Sequence, residues 1–245
     1  MVRLTVLGSG DAFGSGGRAH SAYLVEAPGR TFLVDSGPTV LQSLKRAGRN
    51  TATIDFVLLS HMHGDHFGGV PFLLMEYLYE NRRTRPFTVY GPAGTEERVR
   101  RLFSALFEHS AREPLPFPLR FEEMVPGAPR LIEGVRVVPF QVPHVSELTC
   151  MGYRLEIEGR SILYSGDSAW TEAFVAQARG VDLFICECST YETPMPIHIS
   201  YREIAARARD LGCRRLVLSH LGSESLEHLG DISLECATDG LTIDL

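Results

Sequence analysis

Apolar and polar positions along the 245-residue chain switch repeatedly between a period of two and a period near 3.6. Arg3–Leu7, Ala22–Glu26 and Thr31–Asp35 are β-branched and apolar runs separated by glycine-rich turns, which predicts three strands. Pro38–Ala47 has helical spacing, with Gly48 as its stop. Ile54–Leu59 is apolar almost throughout, as a strand buried on both faces must be, and it ends at Ser60. From Asp65 to Glu80 the spacing is helical again, with Pro71 in an early turn or at a kink.

A second wave repeats this alternation. Phe87–Tyr90 reads as a strand, Gly94–Phe107 as a helix, and the proline-rich stretch Glu113–Pro129 as irregular chain. Val135–Val142, Gly152–Glu158 and Ser161–Ser165 read as strands, Trp170–Arg179 as a helix, Val181–Cys186 as a strand and Ser200–Leu211 as a helix. Arg215–Ser219 and Leu241–Leu245 complete the set as strands. No linker, composition break or repeat divides residues 1–245, so the expectation is one domain. Strands and helices followed by strands and helices suit two sheets with helices outside, although pattern alone does not select that arrangement.

Composition adds exclusions. The net charge of -6 removes the broad basic footprint of a nonspecific nucleic-acid binder, while leaving a local phosphate site at a metal open. No apolar run approaches about 18 residues, so no membrane span is expected. The start, Met1–Leu7, shows no basic region or cleavage site, and the five cysteines (Cys150, Cys186, Cys188, Cys213, Cys236) have no framework spacing. Reduced thiols in a cytoplasmic protein are the simplest reading. Cys186 and Cys188 share one strand face, where packing is a simpler role than ligation.

The chemistry concentrates in His61-Met62-His63-Gly64-Asp65-His66, between the apolar run and the following helix. Imidazole and carboxylate suit zinc and similar divalent cations, and a turn after a strand can aim several of them at one point. Six residues cannot close such a site. Further ligand-type residues stand at three other strand ends, His144 after Val135–Val142, Asp167 after Ser161–Ser165 and His220 after Arg215–Ser219. His20, His109 and His228 belong to no such pattern. Phe72, Leu73, Leu74, Met75, Tyr77 and Leu78 read as a helix core face or part of a dimer surface, and Phe117, Phe121 and Met124 as a packed loop, a lid or a substrate wall.

These motifs resemble the metallo-β-lactamase superfamily. His61 to His66 is similar to its signature, Ser165-Gly166-Asp167-Ser168 to its bridging-aspartate motif, Leu218-Ser219-His220 to its final histidine, and Leu33-Val34-Asp35-Ser36-Gly37 to the segment that precedes the signature. The resemblance runs from Gly8 to Leu245. It implies a four-layer αββα sandwich with the site where the two sheets open. It also implies two divalent metal ions, zinc first with manganese or iron as alternatives. His61, His63 and His144 would bind one ion, Asp65, His66 and His220 the other, and Asp167 both. Asp35 would orient a ligand histidine through its second ring nitrogen. Such an ion pair holds a hydroxide available at neutral pH and stabilises the leaving oxygen of a hydrolysis.

Cys186-Glu187-Cys188-Ser189 followed by His198-Ile199-Ser200 resembles the ribonuclease Z branch, with Cys186, Cys188 and Ser189 departing from its usual residues. That resemblance makes Asp65, His198 and Glu187 the catalytic set, Glu187 orienting His198 to stabilise charge or protonate the leaving group; the competing reading has His198 as a cap of the helix near Ser200. The tRNA-gripping arm of that branch falls between its Gly-Tyr-Arg and Gly-Arg strands, yet here Gly152–Glu158 runs straight into Gly159-Arg160. The expectation is therefore a phosphodiesterase for a small-molecule or short nucleotide substrate rather than tRNA, with homodimerisation implied by the family alone. Hydrolysis of a carboxylic ester, lactone or thioester at the same ions is the alternative.

Overall fold

The computed structural model describes residues 1–245, and its strands follow the apolar runs closely. Strands β1 (Arg3–Gly8), β2 (Ala22–Ala27), β3 (Arg30–Ser36), β4 (Phe56–Leu58), β5 (Phe87–Gly91) and β6 (Leu119–Glu123) build one sheet. Strands β7 (Arg130–Ile132), β8 (Val135–Gln141), β9 (Met151–Ile157), β10 (Arg160–Tyr164), β11 (Leu183–Glu187), β12 (Leu216–Ser219) and β13 (Glu235–Cys236) build the second, and β14 (Thr242–Asp244) returns to the first. The first sheet runs β14-β1-β2-β3-β4-β5-β6 and the second β13-β12-β11-β10-β9-β8-β7. Each is antiparallel in one half and parallel from β3 to β6 or from β10 to β13.

The period of two explains the layers. Phe32 and Val34 of β3, Phe56 and Leu58 of β4, and Ile162 and Tyr164 of β10 pack into the core between the sheets. Their neighbours Leu33 and Val57 face outward onto a cluster that includes Val70, Leu73 and Leu74 of the helix Val70–Met75. On the far side, Leu163, Phe184 and Leu218 meet Phe174 and Ile204, from helices Ala173–Ala178 and Tyr201–Leu211. A strand covered on both faces must be apolar at every position, which is why Ile54–Leu59 shows no alternation. The result is the αββα sandwich of the metallo-β-lactamase fold.

Three departures from the sequence reading have local causes. The stretch Glu113–Pro129 contains β6, an edge strand parallel to β5, whose Arg120, Glu122 and Glu123 mask its apolar positions. The helix expected over Asp65–Glu80 is broken into Gly64–Phe67, Val70–Met75 and a π-helical turn Glu76–Glu80, because Pro71 starts a new helix in its first turn, where its missing N–H costs nothing. Leu73, Leu74, Tyr77 and Leu78 are buried, so the apolar set from Phe72 is mainly core. Phe117 and Met124 are buried on either side of β6, which carries Phe121, so the set packs against the core rather than forming a lid.

Two connections bear on the site. Ile157 pairs with Arg160, leaving Glu158 (φ 51°) and Gly159 (φ 72°) as a two-residue hairpin turn with both φ positive. At the other end of the chain, Asp239 accepts hydrogen bonds from the Ser9 amide (2.9 Å), the Ser9 hydroxyl (2.7 Å) and the Ala19 amide (2.7 Å), pinning the glycine-rich loop that follows β1. No helix is long and apolar enough to cross a membrane.

Phe56 is fully buried, stacked on Phe32 at 4.7 Å and edge-on to Tyr90 at 5.6 Å. Phe56→Ala is expected to cost about 3–5 kcal/mol, read as a lowered denaturant midpoint with an unchanged slope.

Candidate metal centre

Strand ends at one edge of the sandwich supply every ligand-type residue. The loop after β4 carries His61 and His63 and leads into the short helix Gly64–Phe67, which carries Asp65 and His66. His144 follows β8, Asp167 follows β10 and His220 follows β12. Gly166 has φ 61°, and a Cβ there would lie 2.6 Å from the Met151 carbonyl oxygen, so only glycine permits the turn that presents Asp167. His220 (φ 54°) and Asp35 (φ 57°) also hold the left-handed conformation, which side chains outside glycine adopt at a cost and which clusters at functional sites.

The seven residues converge. Donor atoms of His61, His63, His144 and Asp167 all lie within 4.8 Å of one another, as do those of Asp65, His66, Asp167 and His220, with Asp167 common to both groups. His144 Nε2 is 3.1 Å from His63 Nδ1 and 4.0 Å from Asp167 Oδ2. His66 Nε2 lies 3.2 Å from both Asp65 Oδ2 and Asp167 Oδ1, and His220 Nε2 lies 3.4 Å and 3.3 Å from the Oδ2 atoms of the same pair.

The remaining ring nitrogens are held from behind. His66 Nδ1 is 2.7 Å from Asp35 Oδ2, His61 Nδ1 is 3.0 Å from the Ser60 hydroxyl, and His144 Nδ1 donates to the Ile197 carbonyl at 2.8 Å. Asp35 also accepts from the Ser60 amide (2.7 Å), the Ser60 hydroxyl (2.8 Å) and the Tyr164 hydroxyl (2.6 Å). A carboxylate can only accept, so His66 carries a proton on Nδ1, which leaves Nε2 as the nitrogen that faces the cluster. Sequence reasoning reached Asp35 but missed Ser60 and Tyr164. Ser60 has a weak signal in its place directly before His61, whereas Tyr164 has none, because its ring reads as ordinary core.

The site is built for positive charge. His61 Nε2, His66 Nε2 and Asp167 Oδ1 are buried and take no part in any hydrogen bond, although burying such atoms unpaired is costly. Burial pulls the His66 and His220 imidazoles down, but the surrounding carboxylates, Asp167 first, reverse this, taking His66 well above the usual range and His220 up to about 9. Burial pushes Asp167 and Asp65 up, yet the imidazoles, chiefly His220 and His66 for Asp167 and His66 for Asp65, hold both well below the usual carboxylate range. Burial, then the charge of His66, lowers His61 well below its usual value. Protons held on His66 and His220 would thus offset the two buried carboxylates wherever no cation does so. The donor set, imidazole nitrogen plus shared carboxylate, fits divalent cations that would replace those protons.

Beside the cluster, His198 Nδ1 lies 3.0 Å from Glu187 Oε2, with its ring 4.9 Å from that of His144 and 5.5 Å from that of His220. Glu187, at the end of β11, also accepts from the Ser168 amide and from the Ser189 hydroxyl at 3.0 Å. The helix Tyr201–Leu211 is capped by Ser200, whose side chain and that of Glu203 form a reciprocal capping box, so His198 is free of that role. His20, His109 and His228 lie outside: His20 is 3.5 Å from Thr39 Oγ1, His109 pairs with Glu113, and His228 stacks on Tyr191. Cys186 and Cys188 are buried in the outer core.

Asp35→Ala removes the acceptor behind His66 and is expected to weaken cation binding about 10- to 100-fold. Titration of chelator-treated protein with Zn²⁺ reads this directly. The same titration should raise the melting temperature of the parent protein, because only the folded chain gathers these ligands.

Comparison with known proteins agrees with this geometry. The profile described as "Beta-lactamase superfamily domain" matches residues 30–221. A ribonuclease Z of Methanosarcina mazei is 26% identical over 286 aligned positions, covering 95% of this chain and 91% of the relative. An uncharacterised Mycobacterium tuberculosis protein, Rv1339, is 34% identical over 228 positions, covering 90% of this chain and 81% of the relative. The crystal structure of the short form of human tRNase Z superposes with a TM-score of 0.78 at 25% identity, covering 99% of this chain and 98% of that one. By its fold, its residues 30–221 and its full-length relatives, the chain belongs to the β-lactamase superfamily as a metal-dependent hydrolase of the ribonuclease Z-like branch.

Proposed function

We propose that this protein hydrolyses a phosphodiester bond in a small-molecule or short nucleotide substrate, with His198 as the acid that protonates the leaving oxygen. The observation that carries the reading is the pairing of His198 with buried Glu187 at the rim of a cluster that fits two cations. His61, His63 and His144 would hold one ion, Asp65, His66 and His220 the other, and Asp167 both; zinc is the expected metal, with manganese or iron as alternatives. When bound, such ions polarise the phosphoryl group and lower the pKa of a coordinated water.

The residues of the chain do the rest. Burial lowers the His198 imidazole, but the hydrogen bond and charge of Glu187 outweigh it and raise its pKa, keeping a proton available near neutrality. Cations close by oppose that proton, so the Glu187 carboxylate is what retains it. The names of the ribonuclease Z relatives point to a phosphodiester, since RNA is joined by them. The alignment with the Methanosarcina protein spans more positions than this chain has residues, so that relative carries segments with no counterpart here. The two-residue turn at Glu158-Gly159 leaves no arm between β9 and β10, which favours a substrate smaller than tRNA.

Leaving-group chemistry tests the proposal. On a diester with an alkoxide leaving group, such as a dinucleotide, His198→Ala should lower kcat about 10²- to 10⁴-fold. On bis(p-nitrophenyl) phosphate, whose leaving group needs no proton, the loss should be small, and metal content should equal that of the parent in both cases. Background turnover of every phosphodiester alongside cleavage of lactones or thioesters would overturn the reading.

The pH profile gives a second test. His198 acts protonated, so kcat should fall as pH rises through its raised pKa. Glu187→Gln removes the charge that raises it and should move that alkaline limb to lower pH.

A further inference from the structure

We infer that Ser189 is a positioning residue that joins His220 to Glu187, so that one buried carboxylate aligns both a cation ligand and the acid His198. The inference rests on the ligand set of the proposed function, although it does not depend on the substrate. The Ser189 hydroxyl lies 3.0 Å from Glu187 Oε2 and 3.1 Å from His220 Nδ1. It has a single proton. Glu187, 2% exposed, can only accept, so the Ser189 proton goes to it and the oxygen must receive one in turn. His220 therefore bears a proton on Nδ1, and Nε2, which faces Asp65 and Asp167, is the nitrogen left to offer its lone pair when a cation takes the place of a second proton.

The arrangement repeats what Asp35 does across the site. Asp35 meets His66 directly and reaches His61 through the Ser60 hydroxyl; Glu187 meets His198 directly and reaches His220 through Ser189. Backbone bonds fix Ser189 between the two segments it serves, its amide donating to the Ile199 carbonyl at 3.1 Å and its carbonyl accepting from the Gly222 amide at 3.2 Å. His220 needs such a hold, since its left-handed φ of 54° and its near-complete burial leave the ring one productive orientation.

The test is calorimetric titration of chelator-treated protein with Zn²⁺, with the parent, Ser189→Ala, Ser189→Thr and His198→Ala compared. Ser189→Ala should weaken one of two binding steps about 10- to 100-fold and leave the other unchanged. Ser189→Thr, which keeps the hydroxyl, should restore it, and His198→Ala should leave both steps at parental affinity. The metal-free melting temperature should be the same for Ala and Thr. Equal affinities for Ala and parent, equal weakening of both steps, failure of Thr to rescue, or a fall in metal-free melting temperature specific to Ala would each overturn the inference. No substrate enters the titration, so an absence of phosphodiester turnover would remove the proposed function and leave this result standing.

Discussion

A carboxylate sealed away from water must keep its acceptor positions filled, and Asp35 meets that demand with groups drawn from two other parts of the chain. It stands at the end of β3 with no exposure, and Ser60, His66 and Tyr164 all donate to it. Losing one donor would leave a buried charge undercompensated, at a cost of a few kcal/mol. The bond set therefore locks the histidine-bearing turn of the first sheet to β10 of the second. Two other tyrosines make the same crossing at this end: the Tyr23 hydroxyl donates to Ser219 Oγ at 2.7 Å, and that of Tyr153 to the Leu59 carbonyl at 2.7 Å. All three rings lie in the inter-sheet core, so apolar packing sets the spacing of the sheets and the hydroxyls fix their polar edge.

The same edge separates two electrostatic tasks. Around Asp167, carboxylates and imidazoles are arranged so that the pocket is balanced only with positive charge inside it, supplied by protons in the metal-free chain. Around Glu187, one carboxylate raises the pKa of His198 against the effect of burial. The tasks conflict at short range, because cations repel a nearby imidazolium. The fold holds the histidines from two buried carboxylates on different sheets, Asp35 behind His66 and, through Ser60, His61, and Glu187 behind His198 and, through Ser189, His220.

Much of this was legible in the sequence, for identifiable reasons. The central strands show as unbroken apolar runs because helices cover their outer faces, and His144, Asp167 and His220 stand out because each follows such a run. Asp65 and His66 sit in a helix too short to display periodicity, and only the motif marks them. β6 was hidden because an edge strand is half solvated, and its charged residues imitate a loop. The division of the helix at Pro71 was ambiguous because proline is equally at home at a kink and in a first turn. Ser60, Tyr164 and Ser189 act through one hydroxyl each on residues far away in sequence, and no spacing rule reports that. Ser189 shows the limit most clearly, since a serine between a buried cysteine and a threonine looks like filler until His220 is brought against it.

The clamp of Asp239 on Ser9 and Ala19 has a temporal consequence. The glycine-rich loop is synthesised well before its carboxylate anchor, which lies 230 positions after Ser9. At roughly 5–20 residues per second, translation separates the two by about 10–50 s. For most of that interval the chain lacks His220, and for all of it the loop lacks its anchor. Until Asp239 follows, the Ser9 and Ala19 donors have no carboxylate to close on, so the loop takes its final form only late in folding.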